Sequence, residues 1–218
     1  MKINARTRIY GIFGYPIEHS ASPAMQGAAF ASLRLNAAYL PFAVKSSELK
    51  KAVEAIIPLG LGGVNVTLPH KEEVVRFLDG LAPEAERIGA VNTVVIKKGR
   101  LIGHNTDCAG FLRALKEDLG FSPRGKTAFI LGAGGAARAV TFALAGAGVA
   151  RLYVADIIMT RASALAANLR KYFPRCHGLY LLEESLLSLL HPYIQGYRRF
   201  AHRSVSFYYP SQQKGFEK

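Results

Sequence analysis

Only two of the 218 residues are cysteines, Cys108 and Cys176, too far apart in sequence to form a metal-ligand spacing. So low a count also excludes a disulfide framework, which fits a reducing compartment. No apolar run approaches the roughly 18 to 20 residues that span a bilayer. Residues 1–6 are basic but have no apolar stretch of signal-peptide length behind them. The expectation is a soluble, cytoplasmic protein with no membrane partner. Acidic residues are scarce: 15 Asp and Glu against 28 Lys and Arg leave a formal net charge of +13. Nucleic-acid binding would use such a charge, yet no Lys/Arg run interleaved with aromatics and no recognition motif is present. A small anionic ligand explains the bias better.

What the chain does have is a globular composition, 50% hydrophobic, and enough length for one large or two modest cores. Strand and helix patterns alternate in two batches. The first reads as a strand over 8–14, a polar loop, a helix over 25–35 and a strand over 37–44, in which Pro41 predicts a sheet edge. An amphipathic helix over 47–57 and a strand over 64–68 come next, then helices over 71–78 and 81–88. Residues 90–96 and 100–103 flank Lys97, Lys98 and Gly99, a hairpin signal. A helix over 108–119, capped by Asn105, Thr106 and Asp107, links the batches. The second batch is strand 127–132, helix 135–146, strand 151–155 and helix 160–172. Beyond Arg175 the pattern weakens: 183–190 is helix-like, and 191–218 shows no alternation.

The second batch opens on Gly132, Ala133, Gly134, Gly135, Ala136, Ala137 and Arg138, between an apolar strand and a helix. Glycines let the backbone turn tightly and approach a pyrophosphate, and the helix N-terminus offers free N–H groups. In this context the spacing is a dinucleotide-binding signal.

Four polar clusters stand in the first batch. Ser20 and Ser22 place two hydroxyls ahead of a helix, either as a carboxylate site or as an ordinary helix cap. Asn65 and Thr67 share one face of a strand that runs into Lys71. A lysine in a first helical turn sits against the helix dipole, a poor place for stability and a useful one for proton transfer. Asn92 lies in an apolar strand, so its amide needs a partner. Asp107, at a helix start, is either a plain cap or a charge partner for Lys71.

These clusters, in this order and followed by the glycine turn, resemble shikimate dehydrogenase from about Ile9 to about Tyr172. The resemblance implies an N-terminal α/β substrate domain with a mixed sheet, then a Rossmann-type dinucleotide-binding domain. It implies reversible NAD(P)H-dependent reduction of 3-dehydroshikimate to shikimate. Matched by motif, Ser20 and Ser22 would bind the substrate carboxylate, and Asn65 and Thr67 would line the pocket. Lys71 would be the acid/base, with Asn92 and Asp107 on the ring hydroxyls and Asp107 paired to Lys71. Gly132, Ala133, Gly134, Gly135 and Ala136 would hold the cofactor; Asp156 and Arg161, outside the family's pattern, are further candidates for its ribose end. The partner is a small molecule, and the protein a monomer or homodimer.

Two departures shape the expectations. NADP-using members typically carry Asn-Arg-Thr after the second Rossmann strand. Here Asp156 ends that strand, which points to the ribose of NAD, while Arg161 and the family favour NADP. The family's Asn-Ala-Thr-Pro-type loop and C-terminal glutamine helix have no match after Arg175; Gln195, Gln212 and Gln213 sit in no such pattern. The organisation expected is a substrate domain over 1–107, a partial Rossmann domain over 108–175 and an aberrant tail over 176–218. An active dehydrogenase, a quinate/shikimate enzyme using NAD and an impaired binding remnant all remain open.

Overall fold

The computed structural model describes residues 3–174 and the strand Leu179–Leu181. In chain order the elements are β1 (Arg8–Gly14), α1 (Ser22–Ser32), β2 (Ala37–Ala43), α2 (Leu49–Glu54), β3 (Gly63–Val66), β4 (Gly80–Leu81), α3 (Pro83–Ile88), β5 (Thr93–Lys97), β6 (Arg100–His104), α4 (Asp107–Glu117), β7 (Thr127–Leu131), α5 (Gly135–Gly146), β8 (Arg151–Ala155), α6 (Met159–Tyr172) and β9 (Leu179–Leu181). Short 3-10 helices occupy Ser46–Glu48 and Glu73–Phe77. No helix among the described residues is long and apolar enough to cross a membrane.

The first six strands form a mixed sheet in the order β2-β1-β3-β5-β6-β4. β2 and β3 run parallel to β1, whereas β5 pairs antiparallel with β3 and β6. β2 lies at the edge, where the missing N–H of Pro41 costs no ladder bond. Beneath this sheet Leu49, Val53, Ile56, Val66, Val74 and Val94 are buried together. Each such side chain contributes about 1.5–3 kcal/mol on burial.

β7, β8 and β9 form a parallel sheet in that order. Its parallel ladder needs crossover helices, and α5 and α6 provide them. Leu152, Val154, Leu165 and Leu169 fill its core, and so do Ile88 at the end of α3 and Ala90 just beyond it. Cys108, Phe111 and Leu115 of α4 pack on the same cluster. Residues from both sheets thus share one core, and the described residues form one compact unit.

Several boundaries differ from the sequence reading. α1 begins at Ser22 with Ala21 as its cap, so Ser22 is not the capping residue. The helix expected from Lys71 is instead a turn followed by one short 3-10 segment. Lys71 therefore meets no α-helix dipole. Asn92 lies one residue ahead of β5, and Asp107 is the first residue of α4, after the cap Thr106. β9 lies within the stretch set apart as tail; the helix-like segment 183–190 and Gln195, Gln212 and Gln213 fall outside the described residues.

Candidate active site

The hairpin and the start of α4 bring three of the clusters together. The Lys71 ammonium donates to Asp107 Oδ2 at 2.8 Å, and the Asn92 amide donates to Asp107 Oδ1 at 2.8 Å. Both carboxylate oxygens are thus engaged, one by a charge and one by an amide. The lysine side chain is 15% exposed and the aspartate 30%, so solvent screens the pair only in part. Asn105 orients Asp107 by accepting its N–H at 3.0 Å. The amide that needed a partner in the sequence also binds Thr106 Oγ1 at 2.9 Å.

From Asn92 the bonds continue away from the lysine. Thr93 Oγ1 donates to Asn92 Oδ1 at 2.9 Å and accepts from the Asn65 amide at 3.0 Å. Asn65 Oδ1 accepts from the Tyr39 hydroxyl at 2.7 Å. One chain of polar contacts therefore joins Tyr39 to Lys71 through β2, β3, β5 and α4. Burial pushes the Tyr39 hydroxyl up to about 12, against a smaller lowering by the Ser22 side chain. Ser20 stays next to Ser22, its hydroxyl accepting the Ser22 N–H at 3.3 Å. Thr67 stands apart from this chain; its methyl packs where Gly14 leaves room.

Two contacts place the lysine. His70, fully buried, donates from Nε2 to the Val44 carbonyl at 2.6 Å and ties the turn to the end of β2. The stem of Lys71 lies on Gly135, where a Cβ would come within 2.6 Å of the lysine Cβ.

The glycine turn begins at Gly132, whose φ of 99° lies in the region open to glycine, with free space on its Cβ side. Gly134 caps α5 without any side-chain bond, and the first turn holds no acidic residue. The start of α5 thus has no cap or acidic side chain from its own helix, the setting in which backbone N–H groups can bind an anion. Asp156 spends its carboxylate on backbone, accepting from Ala133 N at 2.7 Å and Ile158 N at 2.8 Å. Arg161 reaches Glu72 rather than Asp156.

Sequence reasoning assigned no role to Tyr39, Glu72 or Thr93. Tyr39 had a signal: a hydroxyl-bearing residue at an inward position of an otherwise apolar edge strand. Glu72 had none, because its partners Arg138 and Arg161 lie 66 and 89 residues away.

A mixed-sheet α/β region bearing a lysine–aspartate pair, packed on the opening strands of a parallel sheet with a glycine turn, defines the class: two-part α/β folds whose second part is Rossmann-like. The description "Shikimate dehydrogenase substrate binding domain" matches residues 12–94. The shikimate dehydrogenase (NADP+) of Desulforamulus reducens is 51% identical over 168 residues, covering 77% of this chain and 58% of that protein. The crystal structure of a shikimate dehydrogenase in complex with NADP+ superposes with a TM-score of 0.75 at 40% identity, over 83% of this chain and 63% of the other. Shikimate 5-dehydrogenase from Listeria monocytogenes, in complex with shikimate and NAD, gives 0.75 at 37% identity, over 84% and 63%. Along the aligned residues, the chain is similar in sequence and fold to these shikimate dehydrogenases. The chain spans less than two thirds of the length of these relatives.

Proposed function

We propose that the protein interconverts shikimate and 3-dehydroshikimate with a nicotinamide dinucleotide, NADP in preference to NAD. The observation that carries this reading is the pair Lys71–Asp107 at 2.8 Å, set at the end of a polar chain and resting on the glycine turn. Lys71 exchanges the proton with the substrate oxygen at the reacting carbon. Asp107 holds the ammonium in place and, with Asn92, bonds the ring hydroxyls. Asn65 and Thr67 line the pocket, and Ser20 and Ser22 take the carboxylate. A dinucleotide held by Gly132 to Ala136 would supply the hydride chemistry. The uncapped start of α5 and the open space at Gly132 fit its pyrophosphate.

NADP is preferred because the Asp156 oxygens already accept two backbone N–H groups, while the Arg161 side chain is 44% exposed at the start of α6. The second reading, a quinate/shikimate enzyme using NAD, draws on the position of Asp156 at the end of β8. The third, a protein that binds the ligand without turning it over, draws on the hydrogen-bonded set Asn65, Thr93, Asn92 and Asp107, which could hold a hydroxylated molecule by itself. Shikimate and quinate oxidation by the purified chain, assayed with each cofactor beside calorimetric binding of shikimate, separates them. Turnover fastest with shikimate and NADP is the expected outcome. Quinate turnover with NAD at an equal rate would favour the second reading, and shikimate binding without turnover the third.

A further inference from the structure

Glu72 directly follows the lysine of the proposed acid/base pair, yet its side chain turns the other way. Its Oε2 accepts from Arg138 Nε at 3.0 Å, and its Oε1 from an Arg161 guanidinium nitrogen at 2.6 Å. Arg138 stands in the first turns of α5, the helix that follows the glycine turn, and Arg161 in the first turn of α6. A Cβ on Gly134 would lie 3.8 Å from Glu72 Oε1 and 3.6 Å from the Arg161 nitrogen. Neither helix supplies an acidic residue of its own to its first turn. A carboxylate gripped by two guanidinium groups beside a glycine turn stands where a phosphate group would be welcome.

We propose that Glu72 is the protein's own occupant of the phosphate seat, and that a nucleotide phosphate binds by drawing Arg161 away from it. This rests on the cofactor reading above. The two arms are unequal. The Arg138 side chain is 14% exposed and stays on Glu72; that of Arg161 is 44% exposed and is the arm that yields. While Glu72 keeps its charge, an incoming phosphate meets a like charge and a cation already neutralised. Glu72 therefore sets how strongly a phosphate is required for binding.

The test is calorimetric titration of the full chain with adenosine 2′,5′-bisphosphate, ADP and adenosine. The proteins are wild type, Glu72→Gln, Arg161→Gln and the double variant. Glu72→Gln is expected to tighten at least one phosphate-bearing probe about fivefold or more and to leave adenosine within roughly twofold. The gain vanishes when Arg161 is also replaced, which a merely structural role for Glu72 would not produce. A gain for the bisphosphate alone assigns the seat to the 2′-phosphate, and one for ADP alone to the pyrophosphate; both support the proposal. No gain, an equal gain for adenosine, or a gain that survives without Arg161 overturns it. If neither wild type nor Glu72→Gln binds any probe, the cofactor reading falls and takes the proposal with it. Should Glu72→Gln fail to fold, Glu72→Asp replaces it. That side chain keeps the charge but is too short to span both arginines, so a smaller gain of the same sign is expected, and its absence overturns the proposal.

Discussion

Gly135 and Lys71 share one space: a Cβ on the glycine would stand 2.6 Å from the lysine Cβ and 3.2 Å from its Cδ. The last glycine of the turn is thus required by the lysine as well as by any phosphate. Alanine favours a helix over glycine by up to about 1 kcal/mol, but the collision involves an atom fixed to the lysine backbone, which cannot swing aside. Overpacking wins, and Gly135→Ala is expected to cost about 1–3 kcal/mol in urea unfolding. Shikimate turnover should fall further than stability alone explains, because Lys71 moves. Gly134→Ala, whose Cβ would meet nothing nearer than 3.6 Å, serves as the milder control. Equal stability of wild type and Gly135→Ala would contradict this packing.

Replacing the acid/base pair separates chemistry from binding. Lys71→Ala removes the proton-transfer group and should lower shikimate oxidation by about 10²–10⁴-fold while calorimetry still detects shikimate. Asp107→Asn keeps the shape but leaves the lysine without its 2.8 Å counter-charge. It should lower turnover and weaken shikimate binding together, since the same oxygens are proposed to face the ring. A Lys71→Ala protein with wild-type turnover would remove Lys71 from the mechanism.

The features legible in the sequence were local ones. The helix Gly135–Gly146 and the strand Arg151–Ala155 match their expected bounds, because glycine punctuation and apolar periodicity act over a few residues. The hairpin of β5 and β6 was legible for the same reason. The turn at Lys71 was not: the apolar spacing over 71–78 imitates a helix, but burial of Val74 and the His70–Val44 bond hold the chain in a tighter path. The residues that link the clusters were illegible because their partners meet only in three dimensions. Tyr39 reaches Asn65 because β1 lies between their strands; Glu72 reaches Arg138 only once α5 has packed beside the lysine turn.

Tyr39 gives the fold an alkaline signature. Its hydroxyl is raised from 10.0 to about 12 by burial. In the unfolded chain this proton leaves near pH 10, while the folded protein keeps it until about 12. Stability from this group is therefore complete below pH 10 and declines between the two values, by at most about 1.4 kcal/mol per pH unit. Tyr39→Phe loses the hydrogen bond to Asn65 but also this decline. The expected result is that wild type is the more stable near neutrality and that its advantage shrinks in alkaline melts. An advantage that stays constant up to about pH 12 would contradict the shift.

Cys108 reports on Asp107 from the other side. Burial pushes its thiol up first, and the neighbouring Asp107 carboxylate pushes it further. Only the thiolate reacts with alkylating agents, so Cys108 should modify slowly near pH 8 and much faster in the denatured chain. Asp107→Asn removes the charge but little of the burial. Alkylation should therefore speed up in that variant while staying below the denatured rate. Peptide mapping separates Cys108 from Cys176, so each rate can be followed by mass spectrometry. A rate that does not respond to Asp107→Asn would mean that burial alone governs the thiol. A rate equal to that of the denatured chain would mean that α4 comes loose from the shared core when its first carboxylate is lost.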